Sequence, residues 1–194
     1  MIEIKNIFKS FGKSKVLHDI SAKFERGKTN LIIGQSGSGK TVLLKCLLGL
    51  YSFDQGELIY DNVYSSKMND EEKMNIKKEM GMVFQGSALF DSLSVLENVR
   101  FPLDMLTNYS EKKKDEIALK FIERVNLNDA INKLPSEISG GMQKRVGIAR
   151  AIVLNPKYLF CDEPNSGLDP KTAIVIDNLI QEITKEYNIT TVIN

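Results

Sequence analysis

Residues 34–41 read Gly34-Gln35-Ser36-Gly37-Ser38-Gly39-Lys40-Thr41 and directly follow the apolar run Asn30-Leu31-Ile32-Ile33. The stretch fits the phosphate-loop pattern G-x-x-x-x-G-K-[ST], which lies between a strand and a helix. Its glycines let backbone N–H groups turn towards a phosphate, the lysine adds positive charge, and the threonine hydroxyl can ligate Mg²⁺. The N-terminus of the following helix also favours an anion. The predicted phosphate-binding residues are Gly34, Ser36, Gly37, Ser38, Gly39, Lys40 and Thr41.

A second chemical signal lies further along the chain, where Tyr158-Leu159-Phe160-Cys161 is followed by Asp162 and Glu163. Four apolar residues predict a buried strand that ends in two carboxylates. Such a strand delivers Asp162 to a metal bound with the phosphates. It also leaves Glu163 facing the terminal phosphate, where a carboxylate can act as general base on water.

The pattern around these signals alternates strands with helices. Alternating apolar residues predict strands in 2–7, 16–24 and 29–33, with residues 25–28 as a hairpin turn between the last two. Helical periodicity dominates from about residue 86 to 155, with Ser110 as a helix N-cap. Strands that alternate with helices indicate an α/β fold with a mainly parallel core sheet.

Between the two signals lies Ile138-Ser139-Gly140-Gly141-Met142-Gln143, which resembles the LSGGQ signature of ATP-binding cassette (ABC) ATPases. The resemblance covers essentially the whole chain. It implies a P-loop NTPase fold in a single domain, with an antiparallel β subdomain beside the parallel sheet. The implied core comprises residues 1–85 and 156–194, and the implied helical subdomain comprises about 86–155.

The resemblance also implies a set of site residues and the cofactors ATP and Mg²⁺. Gln85 matches the Q-loop glutamine, which touches Mg²⁺ and takes part in catalysis, and Phe11 matches an aromatic residue that stacks on adenine. Asp169, in Ser166-Gly167-Leu168-Asp169, matches a D-loop aspartate that reaches across a dimer. Ser139, Gly140 and Gly141 would complete the nucleotide site of a second cassette, so the implied assembly is a homodimer or a pair of cassette subunits.

Two departures from the family pattern affect the expected activity. Met142 replaces the last glutamine of the signature, although the serine and glycine donors remain. The family histidine that follows the final strand has no counterpart, because the only histidine, His18, lies far too early. We therefore expect a C-terminally incomplete cassette that binds ATP and hydrolyses it poorly.

Residues 84–103 are similar to the corresponding segment of Mla-type ATPases, which power phospholipid transport together with MCE-domain proteins. This resemblance implies lipid transport, membrane permease partners, an MCE-domain lipid-binding partner, and a cytoplasmic position on the inner face of the cell membrane. Within the segment, Leu89 and Phe90 either insert against a permease helix or pack inside the helical subdomain.

Composition and motif content limit the alternative functions of the chain. Lys and Arg number 26 against 25 Asp and Glu, a net charge of +1 that argues against nucleic acid as a partner. A soluble ABC ATPase of DNA repair or translation is a second hypothesis, but such proteins usually carry a long coiled-coil insertion or a second cassette. A third hypothesis is a nucleotide-binding module with weak catalysis. A GTPase is disfavoured, since no N-K-x-D motif occurs.

Overall fold

Eight strands and six α-helices make up the protein in a computed structural model that describes residues 1–194. In chain order they are β1 (Ile2–Phe11), β2 (Ser14–Phe24), β3 (Thr29–Leu31), α1 (Lys40–Leu47), β4 (Gln55–Tyr60), β5 (Val63–Tyr64), α2 (Asp70–Lys78), β6 (Met80–Val83), α3 (Val95–Leu106), α4 (Glu111–Arg124), α5 (Gly140–Ile152), β7 (Tyr158–Cys161), α6 (Pro170–Glu186) and β8 (Thr190–Ile193).

Four strands form a parallel sheet in the order β3-β8-β7-β6. The carboxyl ends of parallel strands share one edge of a sheet, which is where open α/β proteins bind ligands. The phosphate loop follows β3, Gln85 follows β6, Asp162 and Glu163 follow β7, and Asn194 follows β8. The prediction of a mainly parallel core sheet is confirmed, and this sheet brings the phosphate loop, Gln85 and the acids Asp162 and Glu163 to one edge.

The other four strands form an antiparallel sheet in the order β2-β1-β4-β5. The predicted hairpin turn at residues 25–28 is wrong, because β2 pairs with β1 whereas β3 pairs with β8 in the parallel sheet. Residues 25–28 instead carry the chain from one sheet to the other. Gly27 adopts φ +69°, and its N–H donates to the carbonyl of Ile189 just before β8, at 2.8 Å.

Two hydrophobic clusters lie on opposite faces of the parallel sheet. Successive side chains of a strand point to opposite faces. In β7, Tyr158 and Phe160 join the cluster formed with α1 and the antiparallel sheet, whereas Leu159 and Cys161 join the cluster formed with α3–α6. Both cysteines, Cys46 and Cys161, are buried and unpaired.

Helix starts follow the capping signals of the sequence. Asn69 closes a capping box at α2, accepting from the N–H of Glu72. Ser110 caps α4, and Asp169 caps α6 with Pro170 at the first helical position. Helices α3, α4 and α5 lie within residues 86–155, and the treatment of that range as a separate subdomain stays a prediction. None of the helices has both the length and the apolar character needed to cross a bilayer.

Candidate functional site

The phosphate loop is shaped by two glycines in left-handed backbone conformations, Gly37 with φ +77° and Gly39 with φ +95°. A side chain at Gly39 would be strained by this conformation, and its Cβ would lie only 2.9 Å from Cγ1 of Val16. The ammonium of Lys40 folds back over the loop. It donates to the carbonyls of Gly34 at 2.9 Å and of Gln35 at 3.1 Å.

The N-terminus of α1 offers its backbone donors to a ligand. Gly39 occupies the N-cap position without any side-chain cap, and the first turn contains no acidic residue. The first N–H groups of a helix have no partners within the helix, and they carry the positive end of its dipole. Together with the Lys40 ammonium, these donors fit a phosphate group.

A hydroxyl and a carboxylate meet beside the loop. Oγ1 of Thr41 donates to Oδ1 of Asp162 at 3.1 Å, which joins α1 to the end of β7. No group of three or more His, Cys, Asp or Glu side chains is placed to hold a metal ion by itself. A hydroxyl with one carboxylate instead fits Mg²⁺, which keeps several waters and is usually completed by phosphate oxygens.

Glu163 occupies the next position and adopts φ +44°, a conformation that non-glycine residues seldom take. The side-chain amide of Gln85 donates to its Oε2 at 2.8 Å and lies 3.4 Å from Oγ of Ser166. The structure therefore brings Gln85 to the predicted general base. It does not bring Gln85 into hydrogen-bond contact with Thr41 or Asp162, the other predicted metal ligands.

Three residues of the site were not identified from the sequence. Asn194 donates its side-chain amide to both Thr41 and Asp162. The buried Lys144 donates to the backbone carbonyl of Gln85, and Arg150, two turns further along α5, donates to the carbonyls of Ser87 at 2.7 Å and Ala88 at 2.8 Å. Burial lowers the pKa of both Lys144 and Arg150. Of these three residues, only Asn194 carries a signal in the sequence, since it is a polar residue at the end of an apolar strand. Lys144 and Arg150 carry none.

The signature residues form a second, separate cradle. Ser139 and Gly140 are exposed at the start of α5, where Ser139 caps the helix by accepting from the N–H of Met142 at 3.3 Å. Ser139, Gly140, Gly141 and Asp169 line a cavity of about 520 Å³ that no residue of the phosphate loop lines. Asp169 accepts from the N–H groups of Lys171 and Thr172, and the hydrogen bonds from Thr172 hold its pKa below the ordinary value.

Two aromatic residues from the sequence analysis lie at the surface. The ring of Phe11 is 46% exposed and packs edge-on against Tyr51, with centroids 5.5 Å apart. Its role towards adenine remains a prediction. Leu89 packs against the cluster of α3–α6, whereas the ring of Phe90 is 42% exposed and lies 4.6 Å from that of Phe101.

Comparisons with known proteins agree with this geometry. The sequence profile of the ABC transporter family matches residues 17–166. The chain is 42% identical over 193 residues to the methionine import ATP-binding protein MetN of Clostridium tetani, covering 100% of this chain and 60% of MetN. It is 39% identical over 186 residues to the glutamine transport ATP-binding protein GlnQ of Escherichia coli, covering 96% of this chain and 77% of GlnQ.

A solved structure extends the likeness to three dimensions. The ATP-binding cassette MJ0796, described as a dimer in a post-hydrolysis state with bound ADP and Pi, superposes with a TM-score of 0.84. The two sequences are 32% identical, and the match covers 100% of this chain and 86% of MJ0796. The fold is that of an ABC ATPase cassette, and the chain belongs to the ABC transporter family.

Proposed function

We propose that this chain binds ATP with Mg²⁺ and hydrolyses it, as the nucleotide-driven subunit of a membrane transporter. The observation that carries the proposal is the convergence of a phosphate loop, a hydroxyl–carboxylate pair and a glutamine-bound glutamate at one edge of the parallel sheet. The chain spans 60% of the length of MetN. The activity and partners of the whole protein are therefore proposed and not taken from this relative.

Each residue has a role that follows from its chemistry. The loop N–H groups and Lys40 bind the phosphates and orient them, and Thr41 with Asp162 would hold Mg²⁺. Bound Mg²⁺ would supply positive charge that balances the charge developing on the phosphate oxygens. Glu163 accepts a proton from the attacking water, and the Gln85 amide holds the carboxylate of Glu163 in place.

The second cradle supports a head-to-tail pair of cassettes. Ser139 and Gly140 are exposed, and the cavity that they line contains no residue of the phosphate loop of the same chain. A second copy could therefore bring its own nucleotide to this surface. The description of MJ0796 as a dimer supports such an arrangement. In the proposed dimer, Asp169 lies at the interface, and closure around two ATP molecules drives the attached permease.

An apolar surface supports a permease partner. Phe84, Phe90 and Phe101 line a groove of about 320 Å³ whose rim includes Arg150, and Phe84 is 43% exposed. Arg150 also holds the loop after β6 that carries Gln85 towards Glu163. A membrane subunit seated in the groove would therefore be mechanically linked to the nucleotide site. This arrangement would place the cassette at the cytoplasmic face of the membrane.

For cargo we propose phospholipid, carried together with an MCE-domain protein, on the basis of the Mla-like segment at residues 84–103 and the Ser-Gly-Gly-Met form of the signature. A second candidate is import of a small metabolite, which the names of MetN and GlnQ favour. The two candidates share the same nucleotide chemistry and differ only in the membrane and extracytoplasmic partners.

The ATPase proposal is tested with Glu163→Gln, which keeps the shape of the side chain and removes the base. With Mg²⁺ and ATP, we expect this variant to form a stable dimer in light scattering and to release phosphate at least 100-fold more slowly than the wild type. Glu71→Gln, exposed on α2, is the matched control. Phosphate release by Glu163→Gln at the wild-type rate would exclude Glu163 as the base.

The cargo proposal is tested by purifying the tagged protein from the membranes of its own cells and identifying its partners by mass spectrometry. A permease together with an MCE-domain protein supports lipid transport. A permease with an amino-acid-binding protein supports the second candidate. Recovery of ribosomes or DNA-repair factors without a permease would contradict the transporter assignment.

A further inference from the structure

The side chain of Asn194 lies at the junction of the two residues proposed to hold Mg²⁺. Its Nδ2 is 2.9 Å from Oδ1 of Asp162 and 3.3 Å from Oγ1 of Thr41. Since Thr41 Oγ1 is itself 3.1 Å from the same carboxylate oxygen, the three atoms form a closed triangle. The triangle connects the carboxyl end of β8 to that of β7 and to the first turn of α1.

The remaining polar atoms of Asn194 are also directed to this site. Its Oδ1 accepts from the backbone N–H of Glu163 at 3.2 Å, and its backbone N–H donates to the carbonyl of Cys161 at 3.2 Å. This pattern fixes the orientation of the amide, because exchanging its oxygen and nitrogen would place an acceptor against a carboxylate. The side-chain hydrogen bonds of Asn194 therefore all go to residues 41, 162 and 163.

The position would suit an apolar residue if it served only packing. Strand periodicity puts Asn194 on the same face as Val192, which is fully buried in the cluster around α1. A half-buried amide is costly unless its groups are bonded, so its presence there is balanced only by these contacts.

We propose that Asn194 is a positioning residue that presets Thr41 and Asp162 for a divalent cation. The hydroxyl of Thr41 donates to Asp162 and accepts from Asn194, which leaves one of its two lone pairs for a cation. The amide also donates to Oδ1 of Asp162, which leaves Oδ2 of this carboxylate as an acceptor for the cation or its waters. This inference rests on the proposed nucleotide function.

The test uses Asn194→Leu, which keeps the branched shape and removes the amide. Mn²⁺, an EPR-active substitute for Mg²⁺, is titrated into the chain in the presence of the non-hydrolysable analogue AMP-PNP. We expect Mn²⁺ to bind about 10-fold more weakly than to the wild type, as for other residues that orient metal ligands. The affinity for AMP-PNP in EDTA should be unchanged.

Asn75→Leu, exposed on α2, is the matched control and should equal the wild type in both titrations. Unchanged Mn²⁺ affinity of Asn194→Leu would overturn the inference. An equal loss of AMP-PNP affinity in EDTA would overturn it too, since it would indicate a general structural role. Failure of the wild type to bind AMP-PNP under any condition would refute the proposed function instead.

A measurement on the unaltered protein covers the case in which the leucine variant does not fold. With Mn²⁺ and AMP-PNP bound, the side-chain amide NMR signal of Asn194 should be broadened beyond detection by the paramagnetic ion. The signal of Asn75 should persist. A sharp Asn194 signal in the loaded protein would place the cation elsewhere and overturn the inference.

Discussion

The side-chain amide of Gln85 lies 2.8 Å from Oε2 of Glu163 and so joins the ends of the neighbouring strands β6 and β7. The backbone carbonyl of the same glutamine accepts from Lys144, whose helix α5 begins at the signature residues. One residue therefore contacts both the proposed general base and the helix that presents the second cradle. A shift of α5 would move the amide relative to the carboxylate.

We predict that Gln85→Met lowers the rate of ATP hydrolysis by about 100-fold, because a preorganised donor beside the reacting groups is lost. The affinity for AMP-PNP should change little, since Gln85 makes no hydrogen bond to the phosphate loop. Single-turnover phosphate release and equilibrium binding separate the two effects. Gln181→Met, exposed on α6, is the control, and a matching loss in that variant would contradict the prediction.

Lys144→Met should lower the free energy of unfolding by about 1 kcal/mol, because the carbonyl of Gln85 loses its donor. Burial lowers the pKa of Lys144 below 10.5, so the unfolded chain binds more protons at pH values between the lowered pKa and 10.5. The stability of the wild type relative to Lys144→Met should therefore rise with pH across that interval. Urea unfolding at several pH values measures this trend, and an advantage of the wild type that stays constant or falls across the interval would contradict it.

Replacement by alanine should have opposite effects on stability at Gly81, which contacts α5, and at Gly147, which lies within α5. A Cβ at Gly81 would lie 2.2 Å from the carbonyl oxygen of Ala151, so Gly81→Ala should destabilise the fold by about 1–3 kcal/mol. A Cβ at Gly147 meets its nearest atom, the carbonyl oxygen of Ser87, at 3.6 Å, an ordinary contact. Gly147→Ala should therefore stabilise the helix by about 1 kcal/mol. Chemical denaturation of both variants checks the contrast. A change in the free energy of unfolding of the same sign in both variants would refute it.

Asp169 should make α6 sensitive to acid. Hydrogen bonds from Thr172 lower the pKa of Asp169 below 3.8, so the ionised carboxylate stabilises the fold above pH 3.8. That stabilisation is lost as the pH falls through the lowered value. Asp169→Asn keeps a good cap without the charge. The wild type should be more stable than this variant at neutral pH and should lose the advantage in acid, as urea unfolding at each pH would show.

The sequence was sufficient where local structure depends on neighbouring residues. The glycine-rich loop at Gly34–Thr41 between β3 and α1, the apolar strand β7 before the acids Asp162 and Glu163, and the cap at Ser110 each depend on a few consecutive positions. The hairpin predicted at residues 25–28 failed because alternation is alike in antiparallel and short parallel strands. Which sheet β3 joins is decided by its pairing with β8, which lies far along the chain.

The missed site residues depend on long-range packing. Asn194 reaches Thr41 only because β8 lies between β3 and β7, and no local pattern encodes that order. Lys144 belongs to the sequence Gln143-Lys144-Arg145, which indicates a solvated helix face, yet it is buried where α5 crosses the loop after β6. The contact between Gln85 and Glu163 likewise requires β6 and β7 to be neighbours.

The thiols of Cys46 and Cys161 are buried, with 2% and 0% of each residue exposed, and this burial has a practical consequence. Burial also raises the pKa of both thiols, which suppresses the reactive thiolate. A maleimide should thus leave the native chain unlabelled and modify it only as it unfolds. A cysteine introduced at an exposed position would then carry a fluorophore alone, without removal of either native thiol.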